Sequence, residues 1–261
     1  MLRKLLVELV HRVIRLRARP HKATPIQRMA EGSLSPRGRV RVRGHSCLRS
    51  AFIYAPFVRQ KLIVFVKAPR PGFVKTRLAE AVGPEKACVA YRKLVTTLLD
   101  RLGPIKEVEL RFAPDDAASQ MAPWLRPAWT AAPQGGGDLG ERIRAAFDDG
   151  FAEGCERVTI IGSDCPAITA NDIADSWNLL AQYDAVLGPA HDGGYWLIAL
   201  KAPAPDLFTK IDWSTPRVLE QTLANLARTK RSFHFLRQLR DVDTADDWNR
   251  FVAETSVSSQ G

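Results

Sequence analysis

The sequence predicts a single α/β domain whose mostly parallel, twisted sheet is covered by helices on both faces. From Lys61 onward, short apolar runs alternate with stretches of helical periodicity, which is the pattern of a parallel sheet buried between helices. The chain is also 46% hydrophobic over 261 residues, enough for a sizeable core. Its longest apolar run, LIVFV at 62–66, is far shorter than the ~20 residues that span a bilayer, and it fits a buried strand.

Six strands and five helices follow from these runs. The first and third strands are continuous β-rich segments, and the others are bounded by turn residues. Several helices begin after an acidic or hydroxyl residue suited to capping the first turn. The predicted strands are 61–67, 106–113, 157–162, 184–189, 194–200 and a weaker one at 232–236, and the predicted helices are 84–101, 138–153, 170–182, 215–229 and 244–254.

Ligands of open α/β sheets bind beyond the carboxyl ends of the strands. The segments of interest are therefore those after Val66, Ile161, Leu187 and Leu200.

The positive charge of the chain is concentrated near its beginning. The net charge is +10, but residues 1–60 carry fourteen Lys and Arg against two acids, so the remainder is close to neutral. The basic balance therefore describes a leader and indicates no specific nucleic-acid partner for the folded domain. Residues 2–17 could form a short amphipathic helix, suited to a lipid surface or a transit peptide, but a disordered extension fits the leader better.

These patterns divide the chain into a basic leader over 1–59, a catalytic domain over 60–255 and a flexible tail over 256–261. The four cysteines form no C-x-x-C pair and lie at no metal-ligand spacing with histidine. A cytoplasmic location fits best. The oligomeric state stays open.

The loop after the first strand, KAPRPGFVKTRLAEAVG, is a candidate phosphate cradle. Lys75 and Arg77 flank a predicted helix start, where free N–H groups and the helix dipole favour an anion. The loop matches neither the P-loop nor the dinucleotide fingerprint. The alternative is that these basic residues form solvated surface.

A second segment, QGGGDLGERIRAAF, places three glycines before a predicted helix. Gly140 and Glu141 open that helix, and glycines allow a ligand to approach the backbone closely. The equally good alternative is a flexible turn in which Asp138 caps the helix.

Two acidic turns carry the stronger signal. Asp164 in IGSDCP follows an apolar strand directly, where a carboxylate can hold a divalent cation shared with phosphates. Asp192 in GPAHDGGYWLIAL lies beside His191 and before two glycines. A capping or turn role is the alternative for Asp164, and a hairpin turn is the alternative for the DGG sequence. Because the two turns follow neighbouring predicted strands, we expect them to meet at one sheet edge.

Two C-terminal segments begin helices. WSTPRVL has a proline in the first predicted turn, and DVDTADDW places Asp243 and Thr244 before the last helix. Either residue would serve as the N-cap, while the alternative for Asp243 is a metal or substrate ligand.

Six segments taken together resemble the bacterial rSAM/selenodomain-associated transferase family, also described as arsenosugar-biosynthesis glycosyltransferases. The resemblance spans about residues 61–254, and its segments are FVKAPRPGFVKTRLA, GDLGERI, IGSDCP, GPAHDGGYWLIAL, WSTPRVL and DVDTADDW. That family is similar to the GT-A, nucleotide-diphospho-sugar transferase fold and to 2-phospholactate and molybdenum-cofactor guanylyltransferases. The resemblance therefore implies a GT-A domain.

The resemblance also implies roles for particular residues. A nucleotide's phosphates would lie on Lys67, Lys75 and Arg77, and its ribose or base near Gly140 and Glu141. The main metal-binding carboxylate would be Asp164, and the metal, Mg²⁺ or Mn²⁺, or the acceptor site would be completed by Asp192 and Asp243.

Three functions are compatible with these features. The first is a metal-dependent glycosyltransferase with a nucleotide-diphospho-sugar donor and a small-molecule acceptor, in which Asp164 and Asp192 are catalytic. The second is a nucleotidyltransferase that joins an NMP from an NTP to a phosphorylated or carboxylated acceptor. The third is a non-catalytic nucleotide-binding module. IGSDCP has one acid where many glycosyltransferases have D-x-D, which weakens a purely glycosyl reading.

Overall fold

The structure is a computed structural model that describes residues 58–258. The predicted leader, including its candidate helix at 2–17, lies outside the described residues except for its last two positions. The predicted tail over 256–261 is described only to residue 258, where it continues the last helix.

Seven strands and seven helices make up the described chain. The strands are β1 (Gln60–Lys67), β2 (Val108–Ala113), β3 (Thr130–Pro133), β4 (Arg157–Gly162), β5 (Ala185–Pro189), β6 (Tyr195–Leu200) and β7 (Phe233–Phe235). The α-helices are α1 (Thr76–Val82), α2 (Pro84–Arg101), α3 (Ala118–Met121), α4 (Leu139–Ala152), α5 (Ala170–Leu179), α6 (Val218–Arg228) and α7 (Ala245–Ser258). Short 3₁₀ turns lie at Ala122–Trp124 and Pro205–Phe208.

All seven strands join one sheet in the order β3-β2-β1-β4-β6-β5-β7. Every neighbouring pair is parallel except the two pairs made by β6, which runs antiparallel to β4 and β5. The predicted α/β domain with a mostly parallel sheet is therefore confirmed.

Helices cover both faces of the sheet, as two successive residues of β4 illustrate. Val158 lies under α4, where a Cβ on Gly150 would come 2.9 Å from its side chain. Thr159 lies under α5, and its hydroxyl is 3.1 Å from that of Ser176. Because successive strand residues point to opposite faces, α4 and α5 pack on opposite sides.

The largest core cluster lies between the sheet and α2. Leu62, Val64 and Val66 of β1 are buried there against α2 residues such as Val95 and Leu98. This core fixes the carboxyl end of β1, where the first candidate loop begins. Burial of each such side chain stabilises the fold by roughly 1.5–3 kcal/mol before entropy costs.

The structure contains three short elements that had no predicted counterpart of their own, namely β3, α1 and α3, whereas helix α2 has the predicted bounds. A further difference is β6, which is antiparallel, so the segment after Leu200 lies at the sheet edge opposite the one reached after Val66 and Ile161. The five residues between β5 and β6 permit a hairpin and are too few for a parallel crossover.

Within the described part of the chain, no helix is both long and apolar enough to cross a membrane.

Candidate active site

Lys75 joins two of the predicted acids. Its backbone is left-handed (φ 49°) at the N-cap of α1, a conformation that costs a non-glycine residue energy. Its side chain is only 3% exposed, and its Nζ contacts Asp164 Oδ1 and lies 2.9 Å from Asp243 Oδ1. The three residues come from the loops after β1 and β4 and from the segment before α7, so three of the six segments meet at one ammonium group.

The charges of these groups favour the protonated lysine. Burial by itself lowers the pKa of Lys75, but the negative charges and hydrogen bonds of Asp164 and Asp243 outweigh it and raise that pKa above its ordinary value. Both carboxylates stay accessible, with side chains 52% and 39% exposed. Lys75 is therefore a fixed positive charge beneath two acids that face solvent.

The loops that carry the two acids are tied directly to each other. The Val242 N–H donates to the Asp164 carbonyl at 2.9 Å. The buried Cys165 thiol lies 2.7 Å from Asp241 Oδ1 and 3.2 Å from the Arg240 carbonyl oxygen. These bonds hold Asp164 and Asp243 in a constant relative position without using either carboxylate.

Helix capping does not compete for Asp243. The side chains and N–H groups of Thr244 and Asp247 bond reciprocally at the start of α7, which is a capping box. Thr244 is thus the cap, and Asp243 is left to face Lys75.

Tyr91 is a buried residue that hydrogen-bonds to two of the segments that form the site. Its hydroxyl accepts the Lys67 N–H at 2.8 Å and lies 3.1 Å from the Ser163 hydroxyl. Burial, followed by the charge of Asp164, raises the pKa of Tyr91 to about 12. A neutral tyrosine therefore links the end of β1 to the turn that carries Asp164.

Asp192 lies on the β5–β6 turn at the same sheet edge. Its Oδ1 accepts the Gly194 N–H at 2.9 Å, so the hairpin-turn role is real. Asp241 is its link to the other acids, because burial and the negative charges of Asp192, Asp164 and Asp243 raise the pKa of Asp241 to about 6. The four carboxylates therefore lie in one electrostatic neighbourhood.

The remaining predicted residues lie at the end of β1, on α1 and at the start of α4. Lys67, the last residue of β1, and Arg77 on α1 are exposed, and among residues 58–258 neither forms an ion pair. Glu141 forms a capping box with Asp138 at the start of α4, so the capping alternative for this segment holds. Gly140 is buried against Trp213.

Three residues of the site carried no predicted role. Tyr91 and Asp241 act through contacts that span more than 70 residues of sequence, which no local pattern reveals. Trp213 stands in the quoted WSTPRVL segment, and its position inside a polar turn was the available signal.

The donor set at Lys75 fits a hard divalent cation. Asp164 and Asp243 both direct an oxygen at the same positive charge, and one or two carboxylates plus substrate phosphates are the ligands that Mg²⁺ commonly uses. No group of three or more His, Cys, Asp or Glu side chains in the described chain is arranged to hold a metal by itself. The protein's share of a metal site would thus be these two carboxylates.

Comparison with known proteins agrees with this architecture. A protein from Desulfovibrio desulfuricans G20, provisionally described as a nucleotide-diphospho-sugar transferase, is 36% identical, with 74% of this chain and 85% of that chain covered and a TM-score of 0.70. Residues 101–215 match the family model "Uncharacterized protein conserved in bacteria (DUF2064)". The chain belongs to the DUF2064 family. Its fold is of the nucleotide-diphospho-sugar transferase type, so the GT-A expectation is confirmed.

Two further proteins are similar to this chain. Phosphoenolpyruvate guanylyltransferase of Sphaerobacter thermophilus is 28% identical over 144 residues, which is 54% of this chain and 69% of that protein. The CMP:2-keto-3-deoxy-manno-octonic acid synthetase complexed with CTP covers 77% of this chain and 99% of its own, with 8% identity and a TM-score of 0.50, a likeness of fold alone. The expected arsenosugar and rSAM association is absent from these descriptions and stays a prediction.

Proposed function

We propose that this DUF2064 protein is a metal-dependent transferase that uses a nucleotide-diphospho-sugar as glycosyl donor. The single observation that supports this most is the ammonium of Lys75 held between Asp164 and Asp243 at the carboxyl edge of the sheet. The similarity to the Desulfovibrio protein over most of both chains supports the donor class. We further propose that the region over 60–255 is the complete catalytic domain.

The chemistry follows from the charges at this edge. In glycosyl transfer, the bond between the sugar and the diphosphate breaks, and negative charge develops on the leaving diphosphate. Asp164 and Asp243 would hold Mg²⁺ or Mn²⁺, which supplies positive charge to that leaving group. Lys75 adds a second positive charge, and the exposed side chains of Lys67 and Arg77 would bind the outer phosphate oxygens.

Asp192 is assigned to the acceptor side of the site. Its exposed carboxylate has Oδ1 committed to the turn through Gly194, whereas no described residue bonds to Oδ2. That oxygen can accept a hydrogen bond from an acceptor hydroxyl and orient it for attack.

A nucleotidyltransferase is the second candidate, and the similarity to phosphoenolpyruvate guanylyltransferase favours it. In that reaction, an acceptor oxygen attacks the α-phosphate of an NTP and pyrophosphate leaves. The same two carboxylates and basic residues would serve, so the residues alone do not separate the two reactions.

A paired binding and product experiment separates all three functions. The full chain is screened by thermal shift against NTPs and NDP-sugars, each with Mg²⁺ or Mn²⁺, because a ligand selective for the native state raises the melting temperature. Stabilisation by NDP-sugars followed by release of the NDP supports glycosyl transfer, whereas pyrophosphate release from an NTP supports nucleotidyl transfer. Stabilisation without product under any acceptor would indicate a binding module, and no stabilisation at all would overturn the proposal.

Substitution of the acids tests the site itself. Asp164→Asn and Asp243→Asn should each lower metal-dependent turnover by at least about 100-fold, since each removes a charged metal ligand at the reacting diphosphate. Asp246→Asn is the matched control, because Asp246 is exposed on the first turn of α7. Equal activity of all three variants would place the metal elsewhere.

A further inference from the structure

The loop that carries Trp213 is built as a rigid structure. The Asp212 N–H donates to Gln221 Oε1 at 2.8 Å, Gln221 Nε2 donates to Asp212 Oδ2 at 2.7 Å, and Arg217 pairs with the same carboxylate oxygen at 2.8 Å. Ser214, which directly follows Trp213, has a left-handed backbone with φ 61°. Such a conformation persists only where its surroundings enforce it, so the indole is held in a defined place.

The indole lies directly against the backbone at the start of α4. A Cβ on Gly140 would come 2.6 Å from both Cε2 and Cζ2 of Trp213, which is closer than any real Cβ contact. Position 140 must therefore lack a side chain for the ring to lie there. Trp213 is nevertheless only half-buried, so part of its surface stays open to solvent.

The same loop also contacts the turn that carries Asp192. A Cβ on Gly193 would come 2.8 Å from the carbonyl carbon of Pro216, and the Leu219 N–H donates to the Gly193 carbonyl oxygen at 3.0 Å. The tryptophan is thus connected rigidly to a turn with an exposed carboxylate. Gly140 and Gly193 have no room for a side chain, and their close contacts bring together the segments GDLGERI, GPAHDGGYWLIAL and WSTPRVL.

We propose that Trp213 lines the active site and that its indole stacks on the sugar ring of the donor. This proposal rests on the glycosyl-donor function above. An aromatic face suits a sugar, because the apolar C–H face of the ring packs on the indole, and the acceptor that Asp192 is proposed to orient must reach the sugar. A nucleobase would gain the same stacking, but it is not the ring that the acceptor attacks.

The test compares each NDP-sugar with the NDP that lacks the sugar. Dissociation constants for the full chain with Mg²⁺ are measured for UDP-glucose with UDP and for GDP-mannose with GDP, and the ratio of the two constants in a pair reports the sugar's contribution. For the pair that the wild type prefers, the sugar's contribution should be about 3- to 10-fold smaller in Trp213→Ala than in the wild type. That range corresponds to one aromatic stacking contact. Affinity for the NDP should stay within about twofold.

Three further variants make the result specific. Trp213→Phe should keep most of the ratio, because the phenyl ring preserves a face. Gly140→Ala keeps Trp213 in the sequence but should show the same loss of the ratio, because the added Cβ would displace the indole ring. Gly136→Ala in the same glycine run is the control, because a Cβ there would touch nothing within 4 Å.

The outcomes separate the two proposals. If the wild type binds an NDP-sugar but Trp213→Ala, Gly140→Ala and the wild type share one ratio, the sugar-stacking role is overturned and the donor function stands. A loss that is equal for the NDP and the NDP-sugar also overturns it, in favour of nucleotide stacking or support of the loop. If the wild type binds no NDP-sugar, both proposals fall.

Discussion

Replacing Lys75 by methionine is the most direct test of the charge arrangement at the site. The change keeps an unbranched side chain of similar length but removes the ammonium from a position that is 3% exposed. Breaking a buried ion pair usually costs 3–5 kcal/mol. Here the carboxylates of Asp164 and Asp243 are about half and two-fifths exposed, so water can solvate them, and we expect a loss of about 1–3 kcal/mol in the free energy of unfolding.

The assay is urea unfolding at neutral pH with and without Mg²⁺. Removal of the lysine leaves two uncompensated acids, so Mg²⁺ should stabilise Lys75→Met more than the wild type, which already has a cation between them. Lys75→Arg keeps the charge and should lose less stability, and Lys86→Met is the control because Lys86 is exposed on α2. A Lys75→Met protein with wild-type stability and a wild-type response to Mg²⁺ would refute this account of the site.

Three other predictions concern the surroundings of the site. Cys165→Val should cost about 1–3 kcal/mol in urea unfolding because it removes the donor to the partly buried Asp241 carboxylate, whereas Cys165→Ser, which keeps a donor, should cost less; equal losses would contradict this. Hydrogen bonding by Ser232 lowers the pKa of Asp184 from 3.8 to about 2, so the charge of Asp184 stabilises the fold above pH 3.8 and that contribution is lost as the pH falls towards 2. Asp184→Asn should therefore destabilise at pH 6 and progressively less in acid, and a pH-independent difference in melting temperature would argue against it. Deleting residues 1–57 should leave nucleotide-dependent thermal stabilisation unchanged, and its loss would show that the domain begins earlier.

The sequence was sufficient to predict the architecture because its signals are local. Apolar runs flanked by turn residues marked six of the seven strands, and Pro84 at the start of α2 defined that helix at its first residue. The missed strand, β3, is four residues long, largely exposed and paired only with β2. A short edge strand of this kind has no apolar pattern to detect.

Orientation and side-chain partnership were harder to predict. The DGG turn carried the information that β6 reverses direction, because so short a connection cannot make a parallel crossover. The contact of Lys75 with Asp164 and Asp243 spans 89 and 168 residues, and no periodicity encodes such a distance. The expectation for Lys75 was a phosphate contact at a helix start, whereas its ammonium is buried between acids and the phosphate role stays a proposal.

The six segments form two groups in the structure. Lys75, Asp164 and Asp243 form one group, held by charge, while Gly140, Trp213 and the Gly193 turn form a second group, held by close backbone approach. The groups are not independent, because a hydrogen bond from the His191 N–H to the Leu239 carbonyl joins the second to the segment that leads into Asp243. The proposed glycosyl transfer would use both groups. The charged group would neutralise the leaving diphosphate, and the group with Trp213 would hold the sugar ring and the attacking acceptor at a fixed distance from that charge.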